Sequence, residues 1–250
     1  MQNFKLVIEY DGTAYHGWQR QNNICTIQET IEDALKTMTG QSVTLIGSGR
    51  TDAGVHATGQ VANFCLETRL TSDVFARGLN SLLPPDIVIK ACTAVGEGFH
   101  ARYDARSKVY DYRILNRPIP AALFRQYSWH IKLSLDLDAM RTAMLWLKGQ
   151  HDFSAFEATG SSRSHAVRTV IGVNLFGRDE DGHVVFSIEA DGFLRHMVRN
   201  IVGTLVDVGL GKISPKGFED VMISKDRRLA GITAPSHGLF LREVKYTSGR

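Results

Sequence analysis

Apolar and polar positions alternate through Phe4, Leu6, Ile8 and Tyr10, the period-two pattern of a half-buried strand. The period then lengthens. Ile27, Ile31, Ala34, Leu35 and Met38 recur at helical spacing, opened by Thr26-Ile-Gln-Glu29 in the form of a capping box and closed by Gly40. Residues 42–46 and 60–66 read as strands. Ser72 is the expected cap of a helix through Phe75, Leu79 and Leu82, which Pro84-Pro85 stops. Ile87–Val95 closes the run as a strand, giving the order β-α-β-β-α-β.

The second half repeats that order. Residues 108–115 read as a strand, and Leu137, Met140, Met144 and Leu147 sit at helical spacing before Gly149. Residues 168–176 and 183–190 are two strands around an acidic, glycine-ended turn. Leu194, Met197, Val198, Ile201, Leu205 and Val208 form an amphipathic stripe, Ser214-Pro215 opens a further short helix, and residues 239–246 end as a strand. The expected fold class is α+β: two similar ferredoxin-like, split βαβ domains built on antiparallel sheets, spanning 1–104 and 105–250. Residues 154–168 are the longest irregular run, readable as a mobile surface loop or as an RNA-contacting one.

Composition narrows the function classes. No apolar run approaches the roughly 18 residues of a membrane span, and the opening MQNFKLVIEYDG reads as a strand carrying Lys5 and Glu9 rather than a leader. Cys25, Cys65 and Cys92 are odd in number and widely spaced, which fits neither a disulfide framework nor a zinc site and points to a reducing cytoplasm. Residues 1–104 hold 8 Lys+Arg against 11 Asp+Glu and residues 105–250 hold 21 against 15, so the net +3 divides into −3 and +6. A basic second half suits an anionic partner such as nucleic acid, and equally an ordinary solvated surface.

Candidate chemistry centres on Gly47–Phe64, GSGRTDAGVHATGQVANF. A dinucleotide fingerprint would need glycine at position 52, which is Asp52, and no Gly-Lys-Ser/Thr follows for a nucleoside-triphosphate loop. The next element is a strand, whereas phosphate loops feed a helix N-terminus. Asp52 and His56 lack the companion carboxylates a metal would want. Two readings remain: a turn whose glycines supply positive φ and whose aspartate caps it, or a functional loop, since the connection runs about a dozen residues where two would close a hairpin.

Several stretches together are similar to the tRNA pseudouridine synthases of the TruA family. Gly49-Arg-Thr-Asp52-Ala-Gly-Val-His-Ala57 resembles their catalytic motif, and Tyr10–Gln19 (YDGTAYHGWQ) resembles the first strand and turn. Phe99-His-Ala-Arg102 with Lys108-Val-Tyr110-Asp-Tyr112, then His151–Phe156, Phe193–Asn200 and Gly238–Tyr246, carry the resemblance along the rest of the chain. It implies two α/β domains facing across a basic cleft, a homodimer, no metal and no organic cofactor. It also implies isomerisation of uridine at tRNA positions 38, 39 and 40 of the anticodon stem-loop.

By that resemblance Asp52 is the catalytic carboxylate, adding to uracil C6 or acting at the ribose. Arg199 is the cation paired with it, and Tyr110 stacks on the uracil or moves a proton at C5, leaving Tyr112 to the core. Apart from the resemblance, Arg50, two residues before the aspartate, is placed to hold the flipped nucleotide's phosphate or to fill the gap it leaves. Arg20, Arg102, Arg106, Lys108, Arg163 and Arg168 are candidates for RNA contacts. A non-catalytic RNA-binding protein and a metabolic enzyme for a small acidic substrate are the competing readings. The first lacks the aromatic strand signature of an RRM, and the second lacks any cofactor motif.

Overall fold

The computed structural model describes residues 1–160 and 165–247. It divides into two compact units, Met1–Arg106 joined by the segment from Phe240 onward, and Ser107–Leu239. The last strand therefore groups with the first unit, whereas its place in the repeated element order put it in the second domain.

In the first unit, β1 (Gln2–Tyr10) is followed by α1 (Ile27–Thr39), β2 (Ile46–Gly47), β3 (His56–Leu66), α2 (Ser72–Leu82) and β4 (Ile87–Val95). The strand order is β4-β1-β3, with β2 on the far side of β3, all antiparallel. β10 (Leu239–Tyr246) runs parallel to the start of β3, setting Phe240 beside His56 and Leu241 beside Ala57. Phe4 on β1, Phe64 on β3 and Phe75 on α2 form one aromatic cluster with centroids 4.8–5.4 Å apart. On the other face of β1, buried Asn3 and Asn63 clamp the turn before the second unit. Asn3 Nδ2 donates to the Phe99 carbonyl at 2.8 Å and Asn63 Oδ1 accepts from the Ala101 amide at 2.9 Å.

Local chemistry explains where elements start and stop. Thr26 Oγ1 accepts from the Glu29 amide and Gly40 ends α1 at φ +71°, as the capping pattern predicts. The Glu29 carboxylate, however, lies 3.4 Å from Arg20. α2 begins one residue early in its capping, on Thr71, which makes no side-chain cap bond. The strand expected over 42–46 shrinks to Ile46–Gly47 because helix side chains take its backbone. Leu45 donates to Glu32 Oε1 at 2.9 Å, and its carbonyl accepts from Gln28 Nε2 at 3.1 Å.

The second unit orders β5 (Ala105–Asn116), β6 (Trp129–Ile131), α3 (Leu137–Met144), β7 (Gly149–Asp152), β8 (Val167–Phe176), β9 (His183–Ala190), α4 (Met197–Gly209) and α5 (Pro215–Ser224). Its strands run β5-β9-β8-β7, all antiparallel, with β6 parallel to β5. Asp136 and Ser214 cap α3 and α5 through their side chains. α4 starts at Met197 rather than Leu194, because His196 takes φ +62° just before it. The irregular run 154–168 opens inside the core: Ala155 and Phe156 are fully buried, and Phe156 stacks on Phe218 at 5.6 Å.

Candidate active site

The loop bearing Asp52 spans residues 48–55, shorter than its sequence suggests, because β3 starts at His56. His56 and Ala57 become strand by finding partners the local sequence does not show: Tyr10 opposite Ala57, and β10 alongside. His56 is buried, stacked on Phe240 at 4.7 Å, with Nδ1 3.1 Å from the Gly12 amide and 3.0 Å from Asp11 Oδ1.

Each end of the loop is fixed. At its start, Ser48 Oγ donates to Gln60 Oε1 at 2.7 Å, and Gln60 Nε2 donates to the Gly49 carbonyl at 3.0 Å. At its centre, the Thr51 hydroxyl meets the Tyr10 phenol at 2.7 Å, and the Thr51 carbonyl accepts from the Trp18 amide at 3.1 Å. Beyond Asp52, Gly54 takes φ +74° and donates to the Tyr15 carbonyl at 3.3 Å. Two motifs some forty positions apart, Tyr10–Gln19 and Gly49–Ala57, are thus one packed structure. Burial pushes the Tyr10 phenol well above its ordinary value, against the opposing pull of Thr51 and Gln60, so this contact stays uncharged. Asp52 itself is half-buried.

The glycines act by shape more than by flexibility. A Cβ at Gly12 would lie 2.1 Å from the Val55 carbonyl oxygen, and one at Gly17 would lie 2.5 Å from that of Thr51. Gly47 makes room for the Trp18 indole in the same way.

Arg50 is exposed, and its Nε donates to Gln19 Oε1 at 3.1 Å. Gln19 Nε2 donates to Gln28 Oε1 at 2.8 Å, and Gln28 Nε2 to Glu32 Oε1 at 2.9 Å. Sequence reasoning missed this chain. Its signal is Gln28 and Glu32 one turn apart on the apolar stripe of α1, both buried. Arg20 closes on the same group, 3.1 Å from Glu32 and 3.4 Å from Glu29, with its side chain still 54% exposed.

Among the other basic candidates, Arg102 lies over the exposed Tyr103 ring at 5.7 Å and Arg106 Nε donates to Thr247 at 2.6 Å. Lys108 is half-buried on β5. Arg168 folds back on its own strand, donating to the Val167 carbonyl at 2.6 Å. Arg163 lies outside the described residues.

In the second unit, Tyr110 and Tyr112 share a face of β5 and are both buried. Tyr112 is a core residue whose hydroxyl donates to the Pro235 carbonyl at 2.8 Å. Burial drives its phenol far above the ordinary value, with the positive Arg199 pulling it the other way. Tyr110 meets Phe193 edge-on at 5.0 Å. Arg199 stands half-buried in the first turn of α4, its Nε donating to the Ala234 carbonyl at 2.7 Å.

A family described as tRNA pseudouridine synthase matches residues 6–104 and 143–247. The tRNA pseudouridine synthase A of Acetivibrio thermocellus is 51% identical over 246 residues, covering 98% of this chain and all of that protein. That of a Thermoanaerobacter species is 49% identical, and tRNA pseudouridine synthase A 2 of Clostridium perfringens is 46% identical, over the same spans. The archaeal box H/ACA sRNP Nop10-Cbf5 complex is a far weaker likeness, at TM-score 0.39 and 14% identity over 82% of this chain and 44% of that one. The chain belongs to the tRNA pseudouridine synthase family and is an isomerase of that class. No helix among the described residues is long and apolar enough to cross a membrane.

Proposed function

We propose that the chain converts uridine to pseudouridine at positions 38, 39 and 40 of the tRNA anticodon stem-loop, with Asp52 as the catalytic carboxylate. The observation that carries this reading is the seating of Asp52: one half-buried carboxylate on a short loop held from both sides by backbone and buried side chains. Such rigidity is what a group needs if it is to meet a reacting atom in one geometry.

The reaction breaks the ribose C1′–N1 bond and joins C1′ to uracil C5. The C5 hydrogen leaves as a proton and N1 gains one, so atoms and electrons balance without an oxidant or a hydrolytic water. A carboxylate suits the work as a nucleophile at C6 or C1′, or as a base at C2′. By the family resemblance, Tyr110 stacks on the uracil or serves proton transfer at C5, and Arg199 favours the charged form of the carboxylate. A uridine inside a stem must be flipped out first, and Arg50, exposed two residues before Asp52, is suited to hold the flipped nucleotide's phosphate. Arg20, Arg102, Arg106, Lys108, Arg163 and Arg168 are assigned to RNA contacts read mostly through shape and backbone. We read each unit as a split βαβ fold, supported in the first by the order β4-β1-β3-β2, and the working enzyme as a cytoplasmic homodimer.

The test is tritium release from tRNA transcript labelled at uridine C5. The wild-type chain is expected to release tritium and Asp52→Asn to release none, while binding the same tRNA within about twofold, because affinity rests on phosphate contacts elsewhere. Equal release by both proteins sinks the assignment of Asp52.

A further inference from the structure

Arg227 stands in the segment that follows α5 and has no carboxylate partner among the described residues. Its Nη1 donates to the carbonyls of Ala230 and Gly231 at 3.2 and 3.0 Å. Its Nη2 donates to Asn200 Oδ1 and Thr233 Oγ1 at 3.0 and 3.1 Å. All four acceptors are neutral oxygens. A guanidinium drawn partly out of water with no countercharge is costly, and burial lowers its pKa accordingly. What it gains is geometric, since its planar fork fixes four acceptors at once.

Those acceptors bind residues 230–234 to α4. Asn200 is fully buried, accepts from both Arg227 and the Thr233 hydroxyl (2.7 Å), and donates to the Phe156 carbonyl at 2.8 Å. Thr204, one turn on, accepts from the Gly231 amide at 2.9 Å. The segment lies so close that a Cβ at Gly203 would fall 1.8 Å from the Ile232 carbonyl oxygen. Held in this way, Ala234 meets Arg199 twice: its amide donates to the Arg199 carbonyl at 3.1 Å, and its carbonyl accepts from Arg199 Nε at 2.7 Å.

We propose that Arg227 is a positioning residue for Arg199: by fixing residues 230–234 on α4, it sets the Ala234 carbonyl that orients the Arg199 guanidinium. The proposal rests on the reading that Arg199 acts in the reaction. An arginine on a helix has four side-chain torsions, and one carbonyl at Nε fixes the plane of its charge. Small displacements of such a group weigh on the chemical step rather than on substrate affinity.

The experiment uses full-length Arg227→Met, Thr233→Val and Arg199→Lys, together with each of the first two combined with the third. Tritium release gives kcat and KM, filter binding gives the tRNA Kd, and thermal melting reports the fold. Arg227→Met is expected to lower kcat roughly 10–100-fold with KM little changed, and Thr233→Val to lower it less. In the Arg199→Lys background both are expected to have no further effect, the signature of acting through one group. Thr233→Val keeps the side-chain shape and stands as the readout if Arg227→Met fails to fold. Equal losses in the wild-type and Arg199→Lys backgrounds make the segment a mere support of the fold and overturn the proposal, as does an unchanged kcat in Thr233→Val and Arg227→Met. An Arg199→Lys enzyme with wild-type kcat removes Arg199 from the reaction and the proposal with it, a result distinct from additivity.

Discussion

Gly17 carries φ +92°, and a Cβ there would stand 2.5 Å from the Thr51 carbonyl oxygen and 3.1 Å from the Asp52 carbonyl carbon. Both neighbours are backbone, which yields only if the whole loop moves. Gly17→Ala is therefore expected to cost on the order of 2–3 kcal/mol in urea unfolding. It should also lose most tritium release even where it remains folded, because the displaced residues carry the carboxylate. A Gly17→Ala enzyme with normal turnover would show that the loop tolerates another shape. The same residues mark what is legible one position at a time. Asp52 stands out through its motif, whereas alternation along β5 does not separate Tyr110 from Tyr112, and both are buried. Gln19, Gln28 and Glu32 did not stand out, because a polar relay needs three separated side chains to meet, and no periodicity records that.

Between elements, the tie from β7 to the end of α5 illustrates how acid should act on the second unit. Asp152 Oδ2 lies 2.9 Å from Lys225 Nζ, and its other oxygen accepts from the Ser154 amide at 3.0 Å and hydroxyl at 2.5 Å. Desolvation raises the carboxyl's pKa, but the bonds to Ser154 and Lys225 outweigh it and hold the value below the ordinary 3.8. A carboxyl that binds its proton less readily folded than unfolded stabilises in full above the ordinary value, and the gain is lost as pH falls through the lower one. Asp152→Asn is thus expected to be about 0.5–1 kcal/mol less stable than wild type at pH 7. The gap should close below pH ~4 in denaturant titrations across pH; a constant gap would mean that charge plays no part.

Elements with their own caps or stops were legible: α1 between Thr26 and Gly40, α5 from Ser214, and β4 after the two prolines. Elements that exist through a partner were not. β6 is three residues and β7 four, and each is strand only because β5 or β8 offers it an edge. β2 is shorter than its sequence suggests for the converse reason, the backbone of Leu45 just before it being taken by Gln28 and Glu32.

For the whole molecule, the chain leaves the first unit at Arg106 and returns to it at Phe240. Buried Leu241, Phe240 and Val244 lie on the returning strand, and side chains of this kind contribute roughly 1.5–3 kcal/mol each. A chain ending at Gly238 is expected to lose cooperative melting of the first unit and all tritium release. Adding a peptide of residues 239–247 should restore release in part. Unaltered melting of the shortened chain would show that β10 is dispensable.

The late return of β10 also has a consequence for synthesis. The strand that flanks His56, four residues after Asp52, is translated after the entire second unit. On the ribosome the second unit therefore has all its strands and helices before the first can complete its sheet, reversing the usual N-terminal-first order of domain folding. The His56 end of the Asp52 loop therefore gains its β10 neighbour only once that strand has emerged.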